Sequence, residues 1–166
     1  QIDDSLKQDS GRVNHEPFRI YGDTELKEYA SSGNGTETNP YIIEGYRING
    51  TGSHYCIYIG NTEDHFVLRD CYISNASDKR DYNEGKGIHL DDVENAVITG
   101  NNFTGNDIAL RLTDSNYNTI YENVVTDNLV GINLETSKDN TIHNNFVKYN
   151  LWEGIYLEAR SDHNKV

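Results

Sequence analysis

The chain has little of several residues on which common folds and sites depend. Its 166 residues include no Met, one Trp, two Pro and two Cys. Two cysteines cannot form the several disulfide bonds of a disulfide-rich scaffold. The lack of Met removes a soft ligand that suits Cu(I). No apolar run approaches the roughly 20 residues of a membrane-spanning helix. A chain that begins at Gln1 and lacks Met is expected to be a processed or excised piece.

Basic residues are scarce as well. Lys and Arg number 14 against 27 Asp and Glu, so the formal net charge is -13. This acidity argues against nucleic acid and anionic membranes as partners. It fits an exported protein, extracellular or on the cell surface. Four Asn-x-Ser/Thr sequons fit the same location and are candidate glycosylation sites, at Asn34, Asn49, Asn75 and Asn102.

Asparagine is abundant, with 21 copies, and many of them belong to a repeat. The repeat has a period near 22 and joins short apolar strings through polar turns, which is typical of a solenoid. Asn, Gly and Thr at regular positions argue against helical repeats. The four regular copies are GIHL (87–90), ALRL (109–112), GINL (131–134) and GIYL (154–157). A fifth copy, CIYI (56–59), lies further from its neighbour because SDKRDYNEGK (77–86) is inserted between them.

Alternation within the strings predicts β-strands whose apolar side chains point inward. Coils stacked about 4.8 Å apart would place like residues on like residues. The resulting inward columns are Ile57, Ile88, Leu110, Ile132 and Ile155; Ile59, Leu90, Leu112, Leu134 and Leu157; Ile43, Leu68, Ile98, Ile120, Ile142 and Val166; and Ile48, Ile73, Phe103, Val125 and Val147.

Asparagines recur at the bends between strands. A buried amide needs hydrogen-bond partners, and stacked asparagines can bond one another and the turn backbone. We therefore predict a structural ladder of Asn101, Asn123 and Asn145, which would also adopt the left-handed conformation of the bend. Two further lines are Asn106, Asn128 and Asn150, and Asn118, Asn140 and Asn164.

The G-I-x-L and N-x-I-x-x-N units, with the segment GNGTETNPYIIEGYRI (33–48), resemble the repeats of NosD-like proteins and of archaeal cell-surface β-helix domains. This resemblance implies an all-β, right-handed parallel β-helix of about five coils. We expect a polar arm over residues 1–16 and one β-helix domain over residues 17–166. Its coils would run from about residue 40 to 166, with the last coil incomplete.

The two ends of the solenoid are predicted to differ. At the amino terminus, residues 23–32 suggest a capping helix in which Asp23 or Thr24 could cap the first turn. At the carboxyl terminus the last coil stops at Val166 without a cap. Either the chain is part of a longer protein, or the open coil stacks on a neighbour and builds an assembly.

One strip of outward residues is the candidate functional surface. Its first column, the predicted ligand-binding residues, is Tyr58, His89, Arg111, Asn133 and Tyr156, and its second column is Asp91, Thr113, Glu135 and Glu158. The tyrosines could stack on sugar rings. We therefore expect a non-catalytic surface module that binds glycan or builds envelope structure.

An enzyme is the competing interpretation, because β-helix polysaccharide lyases and glycoside hydrolases use the equivalent face. Stacked coils would allow carboxylate separations that suit either a retaining or an inverting glycosidase. The spacing therefore does not distinguish the two mechanisms. The catalytic candidates would be Glu135, Glu158, Asp91, Arg111 and His89. A third alternative, implied by the NosD-like resemblance, is an accessory role in metal maturation.

Metal sites receive little support from the sequence. The six histidines fall in different columns, so no copper site is expected. The pairs Asp91–Asp92 and Glu63–Asp64 could each hold a weak surface Ca²⁺. By the column register Cys56 faces outward and Cys71 inward, which predicts two free thiols.

Overall fold

The computed structural model describes residues 11–77, 85–158 and 160–166. Most of the expected polar arm (residues 1–10) and most of the inserted segment (residues 78–84) lie outside the described residues. Seventeen strands and one helix are assigned in the described part of the chain.

Three parallel sheets form the walls of the molecule, and each complete coil adds one strand to each sheet. Sheet A contains β1 (Val13–His15), β4 (Tyr46–Thr51), β7 (Tyr72–Ser77), β10 (Asn102–Thr104), β13 (Val124–Thr126) and β16 (Phe146–Lys148). Sheet B contains β2 (Phe18–Tyr21), β5 (Tyr55–Thr62), β8 (Lys86–Val93), β11 (Ile108–Thr113), β14 (Val130–Glu135) and β17 (Glu153–Leu157). Sheet C contains β3 (Tyr41–Glu44), β6 (Phe66–Arg69), β9 (Ala96–Thr99), β12 (Thr119–Tyr121) and β15 (Thr141–His143).

This arrangement is a parallel β-helix, as the repeat predicts. The strand register confirms the apolar columns, since Ile57 pairs with Ile88 and Leu110 pairs with Ile132. Two columns also extend one strand further than expected, because Phe18 pairs with Ile57 and Ile20 with Ile59. The expected arm therefore ends in an ordered edge strand, β1, which pairs with β4.

The asparagines at the bends form continuous hydrogen-bonded ladders. Asn123 donates from Nδ2 to the carbonyl oxygens of Ile98 and Tyr121, at 2.9 and 3.0 Å, and to Oδ1 of Asn145, at 3.0 Å. Its own Oδ1 accepts from the backbone N–H and the Nδ2 of Asn101, at 3.0 and 3.1 Å. One amide thus ties three coils together, and it satisfies backbone groups that the bends leave unpaired.

The other two asparagine lines repeat this pattern. Asn106 donates to Oδ1 of Asn128 at 3.0 Å, and Asn140 donates to Oδ1 of Asn164 at 3.1 Å. A serine ladder that the sequence analysis missed turns another bend, where the backbone N–H groups of Ser115 and Ser137 donate to the hydroxyls of Ser137 and Ser161. Its signal was present as three serines spaced by 22 and 24 residues.

The left-handed residue of each bend is not the ladder asparagine but the residue before it. Gly100, Glu122 and Asn144 have φ values of 64°, 55° and 54°. They immediately precede the ladder residues Asn101, Asn123 and Asn145. The expectation that the ladder asparagines adopt this conformation is therefore wrong. The preceding residue turns the chain, so the asparagine itself can point inward.

The helix α1 (Gly22–Tyr29) lies at the amino-terminal end and is shorter than the expected residues 23–32. Its N-cap is Tyr21, not Asp23 or Thr24, and the backbone N–H of Tyr21 donates to Oε2 of Glu25 at 2.7 Å. Leu26 is fully buried in the core. The helix thus contributes apolar cover next to β2, the edge strand of sheet B.

The opposite end is more open. β15, β16 and β17 are the edge strands of their sheets, and the last column members Leu157 and Val166 are exposed. Stacking of this end on another molecule stays a prediction.

Cys56 departs from the expected orientation, because both cysteines are free and fully buried. The expectation that Cys56 faces outward is wrong. Cys56 precedes the inward residue Ile57, and Cys56 Sγ lies 3.5 Å from the carbonyl oxygen of Ser74. The equivalent positions in the next coils are small residues, Gly87 and Ala109, which are also buried. Small side chains fit here because the position lies against the neighbouring sheet.

We expect Asn123→Leu to lower the free energy of unfolding by at least about 2 kcal/mol, because buried carbonyl and amide groups lose their partners. Urea denaturation measures the change. The matched control is Asn102→Leu, whose residue lies half-buried on the outward side of β10. Equal stability of the two variants would contradict the ladder's structural role.

Candidate functional site

The outer face of sheet B carries the predicted strip. The register places Tyr58 beside His89, His89 beside Arg111, Arg111 beside Asn133, and Asn133 beside Tyr156. The first column is therefore continuous along the solenoid.

The two columns of the strip are joined by a regular diagonal pattern of hydrogen bonds. Tyr58 donates from its hydroxyl to Oδ2 of Asp91 at 2.8 Å, and Nε2 of His89 lies 3.1 Å from Oγ1 of Thr113. One coil further, Arg111 forms an ion pair with Glu135. In the last step Asn133 donates from Nδ2 to Oε1 of Glu158 at 3.0 Å. Each side chain contacts the residue two positions along the next strand.

Burial on this face changes the ionisation of two of its residues. The pKa of His89 is lowered to about 4, chiefly because burial disfavours the imidazolium, although Asp91 opposes the shift. The pKa of the Tyr58 phenol is raised, chiefly because the group is buried and secondly because it donates a hydrogen bond to Asp91. His89 is therefore neutral near pH 7.

The five predicted ligand-binding residues are not equally accessible. Tyr58 packs against the rings of Tyr55 and His89, with centroid distances of 5.6 and 5.4 Å. Tyr156 is 45% exposed, whereas Asn133, expected to face outward into solvent, is only 1% exposed. Asn133 lies on the outer face of sheet B, in register with Arg111 and Tyr156, but it is buried there.

Asn133 has a second unusual property. Its Nδ2 is used by Glu158, yet among the described residues its Oδ1 is the one buried side-chain polar atom without a hydrogen-bond partner. A buried acceptor without a partner costs roughly 1–3 kcal/mol. A donor would stabilise this atom, but because the atom is buried, a donor from outside the protein reaches it only if the side chains around it move aside.

A groove of about 260 Å³ opens beside Asn133 at the carboxyl-terminal part of sheet B. Its apolar part is Ile108 and Val130, and Trp152 and Tyr156 line it with 55% and 45% of their surfaces exposed. Trp152 is not among the ligand-binding residues predicted from the sequence, although it is the chain's single Trp and comes shortly before GIYL. The full lining is Asp107, Ile108, Arg111, Val130, Asn133, Trp152, Glu153, Tyr156 and Glu158.

A larger cavity, of about 620 Å³, lies on the outer face of sheet A. It is less suited to a ligand, because the guanidinium of Arg47 already covers the ring of Tyr72 at 4.5 Å from its centroid. Two sequon asparagines in the same cavity also hydrogen-bond each other, Asn75 to Asn49 at 3.4 Å. The smaller groove on sheet B offers exposed aromatic rings and an acceptor without a partner, so we treat it as the candidate site.

The catalytic candidates do not converge on this groove as a set. Glu158 and Arg111 line it, whereas Asp91, Glu135 and His89 do not. Asp91 and Glu135 are held by Tyr58 and Arg111 within the strip. Of the five catalytic candidates, the groove therefore brings together only Glu158 and Arg111.

Comparison with known proteins gives one match. A family model described as periplasmic copper-binding protein (NosD) matches residues 14–166. The chain belongs to the NosD family. No curated protein and no solved structure matches it significantly. Because the match covers the coils almost completely, the NosD relationship rests on the β-helix repeat.

Among the described residues of this NosD chain, the donor side chains form no group that fits copper. Within residues 11–77, 85–158 and 160–166, no three His, Cys, Asp or Glu side chains are grouped so that they could hold a metal ion. Burial raises the pKa of Cys56 to about 12 and that of Cys71 to about 11. Copper binding by cysteine uses the thiolate, which these buried thiols disfavour.

The calcium candidates have separate surroundings. Asp91 accepts from Tyr58, while Asp92 and Glu63 line an acidic groove of about 280 Å³ together with Asp23. The described part of the chain gathers no three of these carboxylates into a metal-holding group. In the same part, no helix is long and apolar enough to cross a membrane.

The low pKa of His89 gives a prediction about pH. Its folded pKa of about 4 lies below the ordinary value of 6.5, so protonation favours the unfolded state. The stabilising contribution is complete above pH 6.5 and is lost as pH falls toward 4. Between pH 7 and pH 4.5 the free energy of unfolding falls. We expect this fall to be smaller in His89→Gln than in wild type, by about 1–3 kcal/mol.

Urea denaturation at the two pH values measures this difference. The control is His143→Gln, since His143 is exposed on sheet C. An identical pH dependence in wild type and His89→Gln would show that the neutral, buried histidine does not affect stability.

Proposed function

We propose that this NosD-family chain is an exported β-helix module that binds glycan through the groove on sheet B. Exposed Trp152 and Tyr156 beside the unpartnered Oδ1 of Asn133 carry the proposal. The periplasmic description of the family and the acidic composition support export.

The aromatic residues supply the apolar part of recognition. Trp and Tyr present large, rigid surfaces with a polar edge, which suits a ligand that has apolar ring faces and hydroxyl groups. Small-molecule sites combine such surfaces with a few placed polar groups. Here the polar groups are Arg111, Asn133 and Glu158.

The scaffold supplies rigidity. Arg111 and Asn133 lie on adjacent paired strands, and Tyr156 pairs next to Asn133 in the same sheet. A site built on strands loses little conformational entropy on binding, because its backbone is already ordered.

Glycan-array screening followed by calorimetry of the best ligand tests this function. We expect Trp152→Ala and Tyr156→Ala each to weaken binding by about tenfold, since an aromatic contact contributes roughly 1 kcal/mol beyond its buried area. Phe146→Ala is the matched control, because Phe146 is 56% exposed but lies on sheet A.

Two results would overturn the proposal. One is a complete array with no glycan bound. The other is a bound glycan whose affinity falls as much in Phe146→Ala as in Trp152→Ala, which would place binding outside the groove.

A further inference from the structure

The charge of the groove on sheet B restricts which glycans it can hold. Three carboxylates line it, from Asp107, Glu153 and Glu158. Its one lining cation, Arg111, is already paired with Glu135. A ligand in the groove therefore meets an excess of negative charge, within a protein whose net charge is -13.

The hydrogen-bonding groups point to the same ligand chemistry. Asn133 lines the groove, and its Oδ1 needs a donor. Glu158, which accepts from Asn133, has remaining acceptor capacity because a carboxylate can accept about four hydrogen bonds. The groove therefore offers acceptors to a ligand more readily than donors.

The aromatic rings add a third preference. Trp152 and Tyr156 have exposed rings, and the face of an aromatic ring attracts a cation within about 6 Å. Acceptors, carboxylates and aromatic faces together favour a ligand that carries a protonated amine. Carboxylated sugars would be repelled by the same groups.

We propose that this groove selects saccharides bearing a free amino group over their N-acetylated and uronic-acid counterparts. The inference rests on the proposed glycan-binding function and narrows it to one class of sugar. The amine would pair with the carboxylates of Glu153 and Glu158, while the sugar ring lies against Trp152 or Tyr156. N-acetylation removes the positive charge of the amine. A uronic acid has no amine and carries a carboxylate at C6.

The test compares three trisaccharides by calorimetry on the purified chain at pH 6: tri-glucosamine, tri-N-acetylglucosamine and tri-galacturonate. We expect tri-glucosamine to bind at least tenfold more tightly than tri-N-acetylglucosamine, and tri-galacturonate to show no binding. Glu153→Gln should weaken tri-glucosamine binding by about threefold to tenfold, because the variant removes one exposed lining carboxylate.

A matched variant separates the groove from the overall acidity of the protein. Glu122→Gln removes the same charge from an exposed residue between sheets C and A, outside the groove. We expect it to leave the affinity for tri-glucosamine unchanged. An equal loss in Glu122→Gln and Glu153→Gln would show attraction by net charge alone and would overturn the inference.

The remaining outcomes distinguish this inference from the proposed function. Equal affinity for the amino and N-acetyl sugars, or preference for galacturonate, overturns amine selectivity and leaves glycan binding standing. If none of the three trisaccharides binds but another glycan on the array binds through Trp152, amine selectivity is again overturned and glycan binding stands. Failure of every glycan overturns both.

Discussion

Hydrogen bonding at the bends is the interaction on which the rest of the structure depends. A parallel β-helix pairs its strands through backbone ladders, but each bend interrupts those ladders and turns polar backbone groups toward the interior. Asn101, Asn123 and Asn145 satisfy these groups and bond to one another. Because a buried polar group without a partner is costly, a low share of hydrophobic residues is compatible with a stable core only when such ladders are complete.

The ladders also explain why the outer face can carry a site. Since the bends and the apolar columns hold the coils in register, outward side chains on sheet B repeat at fixed positions. The diagonal contacts, from Tyr58 to Asp91 through Asn133 to Glu158, follow from that register. Most of the strip is occupied by these internal contacts. The groove beside Trp152 differs because its aromatic rings are exposed and one amide oxygen has no partner.

Family membership and site chemistry give different kinds of information about this chain. The NosD match covers the repeat, and the residues that define the repeat are apolar columns and bend asparagines. These residues build the scaffold, and the outward positions are not part of it. The described donors do not form a copper site, whereas the groove offers acceptors and aromatic rings. The scaffold therefore supports several functions, and the outward residues decide among them.

The sequence by itself determined the period, the inward columns and the asparagine lines, because equivalent residues recur in each coil and a strand alternates its faces. The tertiary structure alone decided the burial of Cys56 and Asn133, the left-handed position before each ladder residue, and the groove at Trp152. Those features depend on side chains of adjacent coils and sheets, so the alternation along one strand does not specify them.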